Sequence, residues 1–255
     1  MRQQLLPMSP QEWTHDVRGA LVNAERREAL VYVHGFREQF AGAARRTAQL
    51  AYDLNFSGVP FFFSWPTAGS LSPIGYAADE EMVALAAPAL RMFLTQILRD
   101  AGVDRIHVLA HSMGARVVAE ALRDLQPGQA TSLGNVILAA PDIRVETFSE
   151  LAAPIIYRRA ARLTLYASSR DRALQLSQGF HKARRAGQAN PVVVLDSLDT
   201  VDASSVNTSL IGHGYFAENK AVMDDLFMLT QYDAPARLRN LRTEVQDARV
   251  YYLLK

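Results

Sequence analysis

Residues 105–122, RIHVLAHSMGARVVAEAL, decide how the rest of the chain is read. Arg105 to Leu109 has the composition of a short buried strand and Ser112-Met113-Gly114 that of a sharp turn. Ala115 to Leu122 then sets apolar residues at helical spacing among good helix formers. Ser112 therefore stands between a strand and a helix. Ala110 and Gly114 flank it, two residues before and two after, giving the pattern A-x-S-x-G. Both flanking positions must be small, because strand and helix backbones pass close together at so tight a turn. Such a turn lifts the hydroxyl above the sheet edge. The Met113 N–H, at the start of the helix, points to where negative charge would develop on a substrate oxygen.

Composition bounds the remaining options. With 255 residues and 49% apolar content the chain can bury one sizeable core, and a single domain over 1–255 is expected. The formal net charge of +1, with arginines scattered along the sequence, gives no argument for nucleic acid or an anionic membrane surface as partner. The chain has no cysteine, which removes disulfides, thiolate metal sites and a thiol nucleophile together. The opening MRQQLLPMSPQEWTHD lacks an apolar core of signal-peptide length, and no later stretch reads as long and uncharged enough to span a bilayer. A cytoplasmic protein without metal or organic cofactor is expected, its oligomeric state unread.

The order of elements follows from periodicity. Residues 1–27 read as a polar, irregular lead-in with at most an early edge strand. Ala29 to Val33 is a buried strand closing on His34-Gly35-Phe36. Gln39 to Leu54 is an Ala-rich amphipathic helix with Arg45 and Arg46 turned to solvent, and Val59 to Ser64 is an aromatic strand buried on both faces. A loop from Trp65 to Pro73 precedes a long helix over Ala77–Asp100 that stops at Ala101-Gly102. After the 105–122 unit come a strand at Gly134–Ala140 closing on Pro141-Asp142, a mixed helix over 144–160 and a strand at Arg162–Ala167. Asp171 and a polar helix from Ala173 follow, then a last strand at Val192–Leu195, a loop carrying His213, and a helix over Ala217–Leu229. The tail, 233–255, reads as helical if anything. Alternating strands and helices call for a mostly parallel sheet with helices on both faces. No insertion is long enough for a large lid domain. Only the 66–79 loop and the 144–160 segment could cover a site.

The runs FFFSWPTAGSLSPIGYAADE, HVLAHSMGARVVAEAL, LAAPDI, LYASSRDRAL, VDAS and GHGYF together resemble the bacterial α/β-hydrolase family whose members were catalogued without an assigned function. The similarity covers roughly residues 28–230. It implies the α/β-hydrolase fold, with Ser112 as nucleophile, His213 as base and Asp171 as acid. It also implies an oxyanion hole built from the backbone N–H groups of Phe36, in the H-G-F loop, and Met113. Ala110 stands where the general pattern has glycine, and is small enough for the turn.

The residues themselves lead to the same site. A serine hydroxyl needs a positioned base, and the base needs a carboxylate to fix its tautomer. Two histidines lie downstream of Ser112. His181 sits in the basic run HKARR, which reads as a solvated helix end, whereas His213 stands between two glycines after the last strand. Two acids compete: Asp171, on the loop after the strand at 162–167, and Asp142, directly after the preceding strand, with Asp171 preferred. Trp65, Tyr76 and His111 are candidates to line the substrate site. The expected activity is that of a serine carboxylic-ester hydrolase acting on a small-molecule ester. A thioesterase, an amidase or peptidase, or an acyltransferase would use the same residues, and a catalytically silent binding module is the alternative from another class.

Overall fold

The computed structural model describes residues 7–68, 72–125, 133–157, 162–206 and 219–255. Among these residues the strands are β1 (Glu28–Val33), β2 (Val59–Phe63), β3 (Arg105–His111), β4 (Leu133–Ala139), β5 (Arg162–Ala167), β6 (Leu198–Asp202), β7 (Leu241–Gln246) and β8 (Arg249–Leu254). They form one sheet in the order β2-β1-β3-β4-β5-β6-β8-β7, parallel throughout except for the β7–β8 pair. The helices are α1 (Pro10–Val22), α2 (Phe40–Asp53), α3 (Pro73–Asp100), α4 (Gly114–Arg123), α5 (Val145–Tyr157), α6 (Arg172–His181) and α7 (Lys220–Tyr232).

Strand periodicity sorts the core into two layers. In β1, Ala29, Val31 and Val33 face one way, into the cluster that also holds residues of α1, α3, α4 and α5. Leu30 and Tyr32 face the other way, against residues of α2 and α7. Helices thus cover both faces, as the alternating pattern requires. The chain runs from β1 outward to β2 and then returns to β3 on the other side of β1, so strand order reverses between β1 and β3. That reversal leaves a crevice at the carboxyl ends of the two strands, and Ser112 stands in it.

Several details depart from the sequence reading. The lead-in contains α1, started by a capping box in which Ser9 Oγ accepts the Glu12 N–H at 3.2 Å and the Glu12 carboxylate accepts the Ser9 N–H at 2.8 Å. The strand β2 is an edge strand with Pro60 exposed, where a residue without N–H costs no ladder bond. The helix α3 starts at Pro73, capped by Ser72, so much of the 66–79 stretch is helix, and α5 is a core helix burying Phe148, Leu151 and Ile155. By length and composition α3 would reach across a bilayer, since residues 82–98 hold a single charged side chain, Arg91; in this fold it buries one face, including Leu90, Leu94 and Ile97, in the core. Finally, 192–195 is not a strand. The ladder position beside β5 is taken by β6, and Thr200 Oγ1 bonds to the Val193 carbonyl at 2.6 Å.

The tail is a hairpin rather than a helix. Asp247 and Ala248 both have positive φ (52° and 60°), as a two-residue turn between twisted strands requires, and β8 extends the sheet beside β6. Arg239, at the entry to this hairpin, is buried against Asp225 at 3.1 Å and Asp199 at 3.5 Å, and the Tyr166 hydroxyl also donates to Asp225. Burial pushes the Asp225 carboxyl above its ordinary value, so its charge depends on the guanidinium. Replacing Arg239 by Met should therefore cost about 3–5 kcal/mol in urea unfolding, because it strands a buried carboxylate. The pair Arg239→Met/Asp225→Leu should recover a large part of that loss. A double variant as unstable as Arg239→Met alone would show that the ion pair does not hold the hairpin to the sheet.

Candidate functional site

Ser112 adopts φ 55°, the left-handed region that an L-residue enters at a cost of roughly 1–2 kcal/mol. Three backbone hydrogen bonds hold it there. Its N–H donates to the Ala139 carbonyl at 2.9 Å, and its carbonyl accepts from Ala115 N–H at 3.1 Å and Asp142 N–H at 3.2 Å. The turn between β3 and α4 is thereby tied to the end of β4. Ala110 is fully buried in register with Val33 and Leu138, which is why a small side chain suits it.

The loop after β1 packs directly on this turn. A Cβ at Gly114 would lie 2.2 Å from the His34 carbonyl oxygen, and one at Gly35 would lie 2.8 Å from Ser112 Cβ. Only glycine allows either approach, so the H-G-F segment and the serine turn meet backbone to backbone, placing Phe36 beside Ser112. His34 orders the loop. The Trp65 N–H donates to His34 Nε2 at 3.2 Å, which leaves the proton on Nδ1 to bond the Gly35 carbonyl at 2.9 Å. Burial pushes its imidazole below the ordinary value and keeps it neutral. Trp65 itself is buried, stacks on the His34 ring at 5.5 Å and donates Nε1–H to the His34 carbonyl at 2.8 Å. It anchors the loop from behind and is not among the residues lining the cleft.

A cleft of about 1190 Å³ opens over Ser112, lined also by Phe36, Tyr76, His111 and Asp142. Tyr76 and His111, the candidates to line a substrate site, both line this cleft. One wall holds Arg37, Arg45 and Arg46, of which the sequence reading had placed Arg45 and Arg46 in solvent. Only the position of α2 across the crevice could have revealed this, and periodicity alone does not give it.

The two candidate acids have different surroundings. Asp142 is saturated by the protein: Oδ2 accepts the Tyr76 hydroxyl at 2.5 Å, and Oδ1 accepts the Ser177 hydroxyl at 2.7 Å and Arg185 Nε at 3.1 Å. The buried Arg185 was not anticipated as its partner. Burial and the Asp142 charge raise the Tyr76 phenol, which remains a neutral donor. Asp171, fully buried after β5, caps α6, its Oδ1 accepting the Leu174 N–H at 3.0 Å. It stands at the carboxyl end of β5, next to β6, from which the chain leads into residues 207–218. His213 lies outside the described residues. His181, expected in solvent, packs its ring against Tyr76 at 5.4 Å and Phe180 at 4.9 Å, with Nε2 at 3.2 Å from Glu80. Burial, then the Arg185 charge, lowers its basicity.

A profile of the family described as "Alpha/beta hydrolase of unknown function (DUF900)" matches residues 9–231. No curated protein matches the chain. Among solved structures, the chain is similar to a Trichoderma reesei cutinase in complex with a C11Y4 phosphonate inhibitor (10% identity, TM-score 0.35, covering 52% of this chain and 66% of that one). It is also similar to a CIB-like hydrolase from Thermoplasma acidophilum (17%, TM-score 0.43, 85% and 88%) and to MenH from S. aureus (12%, TM-score 0.47, 83% and 97%).

The buried, neutral His34 makes stability depend on pH. Its folded-state pKa is depressed, so as pH falls below the ordinary imidazole value near 6.5 the unfolded chain takes up a proton that the folded one refuses, and stability drops. The slope from this one group should approach about 1.4 kcal/mol per pH unit between the unfolded and folded pKa values. In urea unfolding at several pH values, His34→Gln should show a shallower fall than the wild type over that window. Equal slopes would mean that His34 titrates alike in both states.

Proposed function

The chain belongs to the α/β-hydrolase family of unknown function, and from that premise we propose that it is a serine hydrolase cleaving carboxylic esters through Ser112. The observation that carries this reading is the serine held at positive φ at the carboxyl end of β3, beneath an open cleft, with the glycine loop after β1 packed against it. An unreactive surface serine needs none of these. Ser112 Oγ attacks the acyl carbonyl, His213 takes the proton, and the Phe36 and Met113 N–H groups hold the oxyanion. The alcohol leaves with the proton from His213, and water then cleaves the acyl-enzyme by the same route. Asp171 acts as the positioning residue that orients His213. Its place beside β6 and the saturated hydrogen bonding of Asp142 both support this choice.

The test is hydrolysis of p-nitrophenyl esters from acetate to palmitate. Ser112→Ala and His213→Ala should lower kcat by about 10³-fold or more, and Asp171→Asn by a comparable factor with KM little changed. Asp142→Asn should lose stability through Arg185 and keep kcat within about tenfold of the wild type. A collapse of kcat in Asp142→Asn with Asp171→Asn unaffected would transfer the positioning role to Asp142. Equal activity in Ser112→Ala and the wild type would remove the serine-hydrolase reading.

A further inference from the structure

A second pocket, of about 400 Å³, lies beside the cleft and does not have Ser112 among its lining residues. Glu80 of α3, Arg116 of α4, Arg144 and Thr147 at the start of α5, and Arg185 after α6 all line it. Phe180 lines both spaces.

Arg185 is held in place by one nitrogen. Its side chain is only 3% exposed, and its Nε donates to Ser177 Oγ at 2.9 Å and stands 3.1 Å from Asp142 Oδ1. Nη2 is buried without a hydrogen-bond partner, and among the described residues nothing bonds to Nη1. A guanidinium carries its N–H donors in a planar fork, so those of both Nη atoms remain open. A buried donor without an acceptor bears the full loss of its hydration, which an acceptor entering the pocket removes.

Arg144 brings a second guanidinium to the same pocket. The Val145 N–H donates to the Arg184 carbonyl at 3.2 Å and the Ala186 N–H to the Ile143 carbonyl at 2.8 Å, so Arg144 and Arg185 face each other in an antiparallel bridge. These bonds flank the two arginines and leave them a pair not bonded to each other, the arrangement that brings facing side chains closest. Like charges directly opposite are destabilising. The carboxylates at hand are engaged or weakly placed: Glu80 bonds Arg116 at 3.2 Å, and Glu146 reaches Arg144 only at 3.8 Å, with both side chains mostly exposed (71% and 60%). The first turn of α5 adds the N–H groups of Glu146 and Thr147, which a helix leaves without intrahelical partners.

We propose that this pocket binds a small molecule through a carboxylate or phosphate group, held between the open Nη donors of Arg185 and the guanidinium of Arg144. Both oxyanions present the paired oxygens that a guanidinium fork matches. A neutral or cationic molecule would leave the repulsion between the two arginines in place. Ser112 plays no part in this binding, which is therefore independent of the hydrolase reading.

Calorimetry on the intact chain at low ionic strength, with inorganic phosphate and with acetate as separate probes, tests the site. At least one of them should bind at a single site, and the tighter of the two tells phosphate from carboxylate. Arg144→Gln, at an exposed side chain, should weaken that binding at least about tenfold, and Arg144→Lys should recover part of it. Arg185→Lys, which keeps a cation beside Asp142 and loses the fork, should weaken it by a similar factor. Arg45→Gln, in the Ser112 cleft, should leave it unchanged. Absence of binding by both anions at millimolar concentration, or an affinity that Arg144→Gln leaves unaltered, would overturn the proposal. So would a loss in Arg45→Gln as large as that in Arg144→Gln, which would place the anion in the cleft.

Discussion

A methyl group at position 114 would come within 2.2 Å of the His34 carbonyl oxygen, and one at position 35 within 2.8 Å of Ser112 Cβ. The turn after β1 and the turn after β3 are in backbone contact, and the organisation of the candidate site depends on that contact. It is possible only where strand order reverses, because there the two loops leave neighbouring strands toward opposite faces of the sheet. The strain of Ser112, roughly 1–2 kcal/mol, is offset by three backbone hydrogen bonds of about 0.5–1.5 kcal/mol each, two of which reach the end of β4. The serine is thereby fixed by three adjacent strands rather than by its own turn.

The surroundings of the two acids follow from the same geometry. Because Asp142 N–H bonds the Ser112 carbonyl, the chain after β4 is held next to the serine, yet the side chain turns into the network of Tyr76, Ser177 and Arg185. That network links α3 and α6, and Tyr76, Asp142 and Ser177 all line the cleft. A carboxylate with a tyrosine, a serine and an arginine already at its oxygens is poorly placed to orient an imidazole as well. Asp171, one strand further along the sheet, gives one oxygen to the cap of α6 and stands beside β6. Asp142 is thus held beside the turn of Ser112 with both of its oxygens engaged by the protein.

Much of this architecture was legible in the sequence, and the reasons for the rest are physical. The unit around Ser112 could be read because one tight turn imposes several local demands at once: small residues at 110 and 114, an apolar run before and helical spacing after. The sheet could be read because parallel strands buried on both faces are continuous apolar runs, as in β1 and β4. The C-terminal hairpin escaped because its turn residues, Asp247 and Ala248, take positive φ without the Asn-Gly or Asp-Gly signature, and its strands are half exposed. The helix α1 carried a readable signal in Ser9-Pro10-Gln11-Glu12, but its periodicity is weak because only Val17 and Leu21 are buried. Residues 192–195 have strand composition and no strand, because composition does not say which segment wins the ladder position beside β5. The arginine wall could not be read at all: the exposed side of an amphipathic helix looks the same in sequence whether it faces bulk water or a cleft.

Reaction of the intact chain with a p-nitrophenyl alkylphosphonate, followed by mass spectrometry, asks whether Ser112 is an activated nucleophile without assuming any substrate. An activated Ser112 predicts a single adduct on that residue, release of one p-nitrophenolate per chain, and labelling of His213→Ala slower by about 10²–10⁴-fold. A wild-type chain that stays unlabelled, carries the adduct elsewhere, or reacts no faster than His213→Ala would contradict it.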